Sequence, residues 1–172
     1  PPVTFMSVHL KAGGDVSDGE TRNEEAAFVG AYCSNLAAAG TLFMLAGDMN
    51  DDPSHDRPPS QVHDILAGAG AGFVTLNAYD DAGFDETYYW THFYTRRYDY
   101  LMPVDALAAL VVSSHVARTD TMTPLPPWLT QATATNASDH FMVYADITLV
   151  PEPAGGCALA AFLLFAGRHA HG

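Results

Sequence analysis

Cysteine and positive charge are what this sequence is short of. Its 172 residues hold two cysteines. Cys33 and Cys157 lie far apart in unlike surroundings, so neither a disulfide framework nor a cysteine zinc site is available. Seven Lys and Arg stand against 20 Asp and Glu, a formal net charge of −13. A field of that sign repels polyanions and argues against a protein that grips nucleic acid through its phosphates. Long apolar runs are scarce as well. The one at residues 154–167 would reach only about 21 Å as a helix, short of the ~30 Å hydrocarbon core. What is present suffices for one folded domain: 48% apolar residues and 16% charged ones, in a length close to the usual domain size. Pro1 and Pro2 lead directly into a strand-like apolar run at 3–10. A buried strand as first element predicts neighbours on both sides, hence a chain that begins within a larger fold.

Strands alternate with helices along the chain, without internal repeats. After the first strand comes a Gly/Asp/Ser loop over 11–19. Thr21 and Glu24 have capping-box spacing, and Phe28, Ala31, Tyr32 and Leu36 recur at helical intervals until Gly40 ends the helix. A second apolar strand at 41–46 runs into Gly47-Asp48-Met49-Asn50. Ser60 can cap a short helix carrying Val62, Ile65 and Leu66. Aromatic and β-branched residues at 87–94 predict a strand or hairpin. Further strands are expected at 97–102, around Val111 and Val112, and at 141–150.

The polar exceptions to this pattern fall at strand ends, where a loop can hold side chains rigidly and still expose them to a cleft. Four clusters do so: Ser7-Val8-His9-Leu10, Gly47-Asp48-Met49-Asn50, Arg97-Tyr98-Asp99-Tyr100 and Ser138-Asp139-His140. Carboxylate oxygens suit Mg²⁺ or Mn²⁺, an amide suits a phosphoryl oxygen, and imidazoles move protons. Together they are a kit for metal-assisted phosphoester hydrolysis. Their structural alternative is that Asp48, Asn50 and Ser138-Asp139 simply close turns. His55, His63, His92 and His115 read as surface or core histidines. The aromatic run Tyr88-Tyr89-Trp90 with Phe93 and Tyr94 serves either a core or a substrate-stacking surface.

In this order and spacing, the four clusters resemble the endonuclease/exonuclease/phosphatase family over residues 3–149. The resemblance implies an α+β fold, the second half of a four-layer α/β/β/α sandwich of the deoxyribonuclease I type, incomplete at the N-terminus. It implies a phosphate-contacting or proton-donating role for His9. Asp48 would align or deprotonate the attacking water, and Asn50 would bind a phosphoryl oxygen. Asp99 would orient His140, the general base or transition-state stabiliser, and Asp139 would be a ligand of Mg²⁺ or Mn²⁺. Arg22 is read as structural. The family's principal metal ligand, a Glu in the first half of the fold, has no counterpart in this sequence, nor does an early Asn. A metal held by Asp139 alone would bind poorly, so the chain by itself is not expected to be competent. The expected activity is an exported metal-dependent phosphodiester hydrolase, an endonuclease or other phosphodiesterase. The alternative is a non-catalytic surface protein or a truncated fragment retaining the fold.

Pro151-Glu152-Pro153, the apolar stretch at 154–167 and Arg168-His169 resemble a PEP-CTERM sorting segment. That resemblance implies a second region at 150–172 with a short hydrophobic helix and transient membrane contact. An exosortase-type processing enzyme would be its partner, and the expected location is the cell envelope or exterior of a Gram-negative bacterium. If half of a sandwich is lacking, the inner face of the remaining sheet should also be an exposed apolar patch.

Overall fold

The computed structural model describes residues 2–55, 60–91, 94–118, 124, 127, 130, 138–148 and 160–162. Strand β1, Val3–His9, is joined through helix α1, Val16–Ala38, to strand β2, Leu42–Asp48, which lies parallel to β1. A crossover helix is what a parallel pair needs, since a tight turn cannot join parallel strands. Strand β2 is central and buried from Phe43 to Ala46, as its unbroken apolar run requires. After the short helix α2, Val62–Gly68, come the hairpin strands β3, Tyr88–Thr91, and β4, Tyr94–Arg96. Strand β5, Asp99–Pro103, then pairs antiparallel with β2 and completes the order β1-β2-β5. Helix α3, Asp105–Ala108, leads to a second, antiparallel sheet of β6, Val111–Ala117, β7, Met142–Thr148, and β8, Ala160–Phe162.

The two sheets pack face to face. Met44, Ala46 and Leu101 from the first meet Val116, Val143, Ala145 and Ile147 from the second. In β7 the inward residues alternate with half-buried or exposed ones, the period of a strand with one buried face. On the other face of the first sheet, Leu45, Tyr100 and Met102 pack against Ala26 of α1 and Val62 and Leu66 of α2. The described residues thus form three layers, helix on sheet on sheet, of the expected four. The inner face of β1-β2-β5 is covered by the second sheet rather than laid open. The exposed large apolar side chains include Phe5, Phe28 and Tyr32 on β1 and α1 instead.

Helix α1 begins six residues before the Thr21-to-Glu24 spacing suggested, with Asp15 rather than Thr21 as N-cap. The carboxylate of Asp18 accepts the Asp15 amide N–H at 3.2 Å, which caps the start. The Thr21 hydroxyl instead donates to the Ser17 carbonyl inside the helix. Gly40, at φ 69, ends it as expected. Arg22 is structural: buried, it donates to the carbonyls of Lys11 and Gly13 and to the Ser60 hydroxyl, tying the loop after β1 to the segment before α2. The expected tail helix lies outside the described residues except at Ala160–Phe162. There the backbone is strand, paired from Asp146 to Thr148. Among the described residues, no helix is long and apolar enough to cross a membrane.

Candidate active site

Strand register puts three of the expected residues in one row. Asp48 at the end of β2 pairs with His9 at the end of β1 and with Asp99 at the start of β5. Paired residues share a sheet face, and this row continues the inward face of Met44, Ala46 and Leu101 beyond the apolar core. His140, just before β7, reaches the row from the facing sheet. The row and His140 therefore meet at the strand ends, beyond the apolar core that joins the two sheets.

The strongest contact is between the sheets. His140 Nδ1 lies 2.7 Å from Asp99 Oδ2. A carboxylate partner makes Nδ1 the protonated nitrogen and turns Nε2 outward for chemistry. That Nε2 lies 3.7 Å from Asp48 Oδ2, and His9 Nε2 lies 3.4 Å from the same oxygen. Both separations exceed a good hydrogen bond and suit groups that meet through a shared ligand or water.

The loop after β2 is fixed by its own main chain. Gly47 has φ 133, and a Cβ there would lie 2.0 Å from the Val8 carbonyl oxygen, so only glycine fits beside β1. Asn50, at φ 48, gives its main-chain N–H to Asp48 Oδ1 at 2.7 Å. Its side-chain Nδ2 donates to the Leu10 carbonyl at 3.0 Å. Asn50 is therefore first a brace between the loops that follow β1 and β2, and one of its two amide N–H bonds is already committed.

Burial pushes the Asp48 carboxyl up, and the Asp99 charge adds to this, against the pull of His140, the Asn50 amide and His9; the result is a pKa of about 6. For His140, burial favours the neutral ring. The hydrogen bond and charge of Asp99, with Asp48 and Asp139, outweigh it and raise the pKa above the ordinary value. An acid lifted toward neutrality beside a histidine whose charged form is favoured is a pair suited to proton transfer.

Asp139 is exposed, next to His140. Among the described residues no three His, Cys, Asp or Glu converge as a metal set. A hard divalent cation takes several oxygen ligands in fixed geometry, so these residues alone do not fit one.

Thr87, which the sequence did not single out, and Tyr88, from the aromatic run read as core or stacking surface, complete the frame. Thr87 is fully buried beneath Asp99, and the Tyr88 ring meets the His140 ring edge-on, with centroids 4.9 Å apart. Only the strand preference of the segment was visible in the sequence; its position against His140 depends on contacts more than 50 residues apart.

No family model and no curated protein sequence matches the chain. Solved structures do. A 3'-5' exonuclease from Neisseria meningitidis superposes with a TM-score of 0.59 at 15% identity, over 83% of this chain and 60% of its own. An AP endonuclease from Archaeoglobus fulgidus gives 0.56 at 14% identity, over 86% and 62%. An endonuclease/exonuclease/phosphatase family protein from Bacteroides thetaiotaomicron gives 0.52 at 19%, over 82% and 48%. The chain thus spans about 60% of the length of the first of these. At such identities the likeness is one of fold, and the chain has the deoxyribonuclease I-like fold of the endonuclease/exonuclease/phosphatase proteins.

Proposed function

We propose that this chain carries the catalytic acid–base half of a phosphodiester hydrolase. The observation that carries the reading is the 2.7 Å Asp99–His140 pair, whose free Nε2 faces Asp48 across the sheet junction. With a phosphodiester in the cleft, Asp48 in its ionised form accepts a proton from the attacking water. His140, held by Asp99, donates Nε2–H to the charge that builds on the phosphoryl oxygens. His9, the most exposed of the group, is placed to contact a phosphate oxygen or to protonate the leaving alkoxide. The remaining N–H of the Asn50 amide is the one available for a phosphoryl oxygen.

A requirement for Mg²⁺ or Mn²⁺ belongs to the proposal, with Asp139 as one ligand and the others from outside the described residues. The names of the similar structures, an exonuclease and an AP endonuclease, support phosphoester hydrolysis as the reaction class. The charge of −13 puts small or extracellular phosphodiesters beside nucleic acid as substrates. Export, release or retention at the envelope through the segment at 150–172, and its processing by an exosortase-type enzyme, complete the reading.

The test is hydrolysis of bis(4-nitrophenyl) phosphate by the natural protein in Mn²⁺ or Mg²⁺, with and without chelator. His140→Ala is expected to lower kcat about 10²–10⁴-fold, the usual worth of a positioned acid or base. Chelator should abolish the rate. A second reading, a non-catalytic protein that keeps the fold, is favoured by the absence of a metal set among the described residues. It predicts no turnover under any metal.

A further inference from the structure

Thr87 immediately precedes β3 and is 0% exposed, one of few polar side chains so deeply placed. Its hydroxyl oxygen accepts two main-chain N–H bonds, from Tyr98 and from Asp99, each 2.9 Å. A hydroxyl has two lone pairs, so both are used. Its main-chain carbonyl accepts the Phe141 N–H at 2.7 Å, and its own N–H donates to the Arg96 carbonyl at 2.8 Å. Asp99 therefore hangs from the side chain of Thr87. His140 hangs from its main chain, through the amide of the next residue. Tyr88 adds a bridge to His140 and an edge-on ring contact.

The choice of threonine has a physical reason. Residues 97–98 link β4 to β5, and a buried amide in such a link needs an acceptor. Valine has the same shape and would fill the space, but it offers no lone pair. The same oxygen that satisfies these amides also fixes where Asp99 stands relative to His140.

We propose that Thr87 is a positioning residue for the hydrolase site, a clamp whose hydroxyl and carbonyl together set the separation of Asp99 from His140. The role rests on the hydrolase reading, although the geometry it controls can be observed without turnover. A displacement near 1 Å at such a pair costs about 10²-fold in rate.

Thr87→Val removes the acceptor at constant shape, and Thr87→Ser keeps it. The first readout is the downfield proton resonance of the His140 Nδ1–H bonded to Asp99, assigned by its loss in His140→Gln. The second is kcat and KM on bis(4-nitrophenyl) phosphate. We expect Thr87→Val to lose the resonance and to lower kcat about 100-fold at unchanged KM, and Thr87→Ser to restore both. A folded Thr87→Val protein that keeps the resonance and full kcat overturns the clamp. If Thr87→Val does not fold, native-state amide exchange in the unaltered protein decides: Tyr98, Asp99 and Phe141 should be protected together, and an Asp99 amide exchanging at open-loop rates overturns it. If the unaltered protein turns nothing over while the resonance is lost in Thr87→Val and kept in Thr87→Ser, the hydrolase reading falls and the clamp stands.

Discussion

Asp48 is the most burdened residue of the site, since burial and the Asp99 charge both oppose its ionisation and lift its pKa to about 6 from 3.8. A raised acid favours the fold while protonated. Its contribution to stability is therefore present below pH 3.8 and lost as the pH rises through about 6. His140, also raised, contributes stability that is fully present below 6.5 and lost as the pH rises through its higher folded value. Both effects make the fold less stable toward alkaline pH. Asp48→Asn should remove the first of them, raising stability at pH 7–8 on the order of 1–3 kcal/mol in urea denaturation, with little gain at pH 4, while hydrolysis is lost. If Asp48 is the base, the acid limb of log kcat should fall with an apparent pKa near 6. A flat profile from pH 4 to 7 excludes that role. The residues of this row were legible in the sequence because His9, Asp48, Asp99 and His140 interrupt apolar runs at strand ends. Thr87 was not legible. A threonine before an aromatic strand looks like any β-former, and what its hydroxyl meets depends on amides 11 and 12 residues away.

Strand β2 and the turn that follows it carry the site at the element scale. The Gly47 backbone lies at φ 133 with no room for a Cβ against Val8. Gly47→Ala should accordingly destabilise the fold by about 2 kcal/mol or more, seen as a lower urea midpoint at unchanged slope, and should lower activity by displacing Asp48. Strand periods were readable, because alternation in β7 and the unbroken apolar run in β2 are two-residue and one-residue patterns. The start of α1 was not. Gly13, Gly14 and Gly19 make residues 11–19 look like loop, whereas Asp18 reaching back to Asp15 lets the helix begin at Val16 and run through Gly19. Local composition lost there to a hydrogen bond that only the folded backbone reveals.

At the scale of the whole molecule, two sheets and one helical layer bring the ends of β1, β2 and β5 against the start of β7, so that four separated segments form one site. The sheet-on-sheet arrangement was expected only through the family resemblance, and the register that aligns His9, Asp48 and Asp99 was not. The charge of −13 predicts weak, salt-insensitive contact with duplex DNA when divalent cations are absent. Retention of the protein on a DNA column, released by raising the salt, would show a basic grip that the sequence does not supply. The central claim is that Asp48 and His140 work as one unit on a phosphodiester. The most direct test is a double-mutant cycle of Asp48→Asn and His140→Ala, reading kcat on bis(4-nitrophenyl) phosphate with Mn²⁺. Groups that act together lose most of the rate with either change, so the double variant should be no slower than the worse single one. Losses that multiply, or a rate indifferent to both substitutions, would contradict the claim.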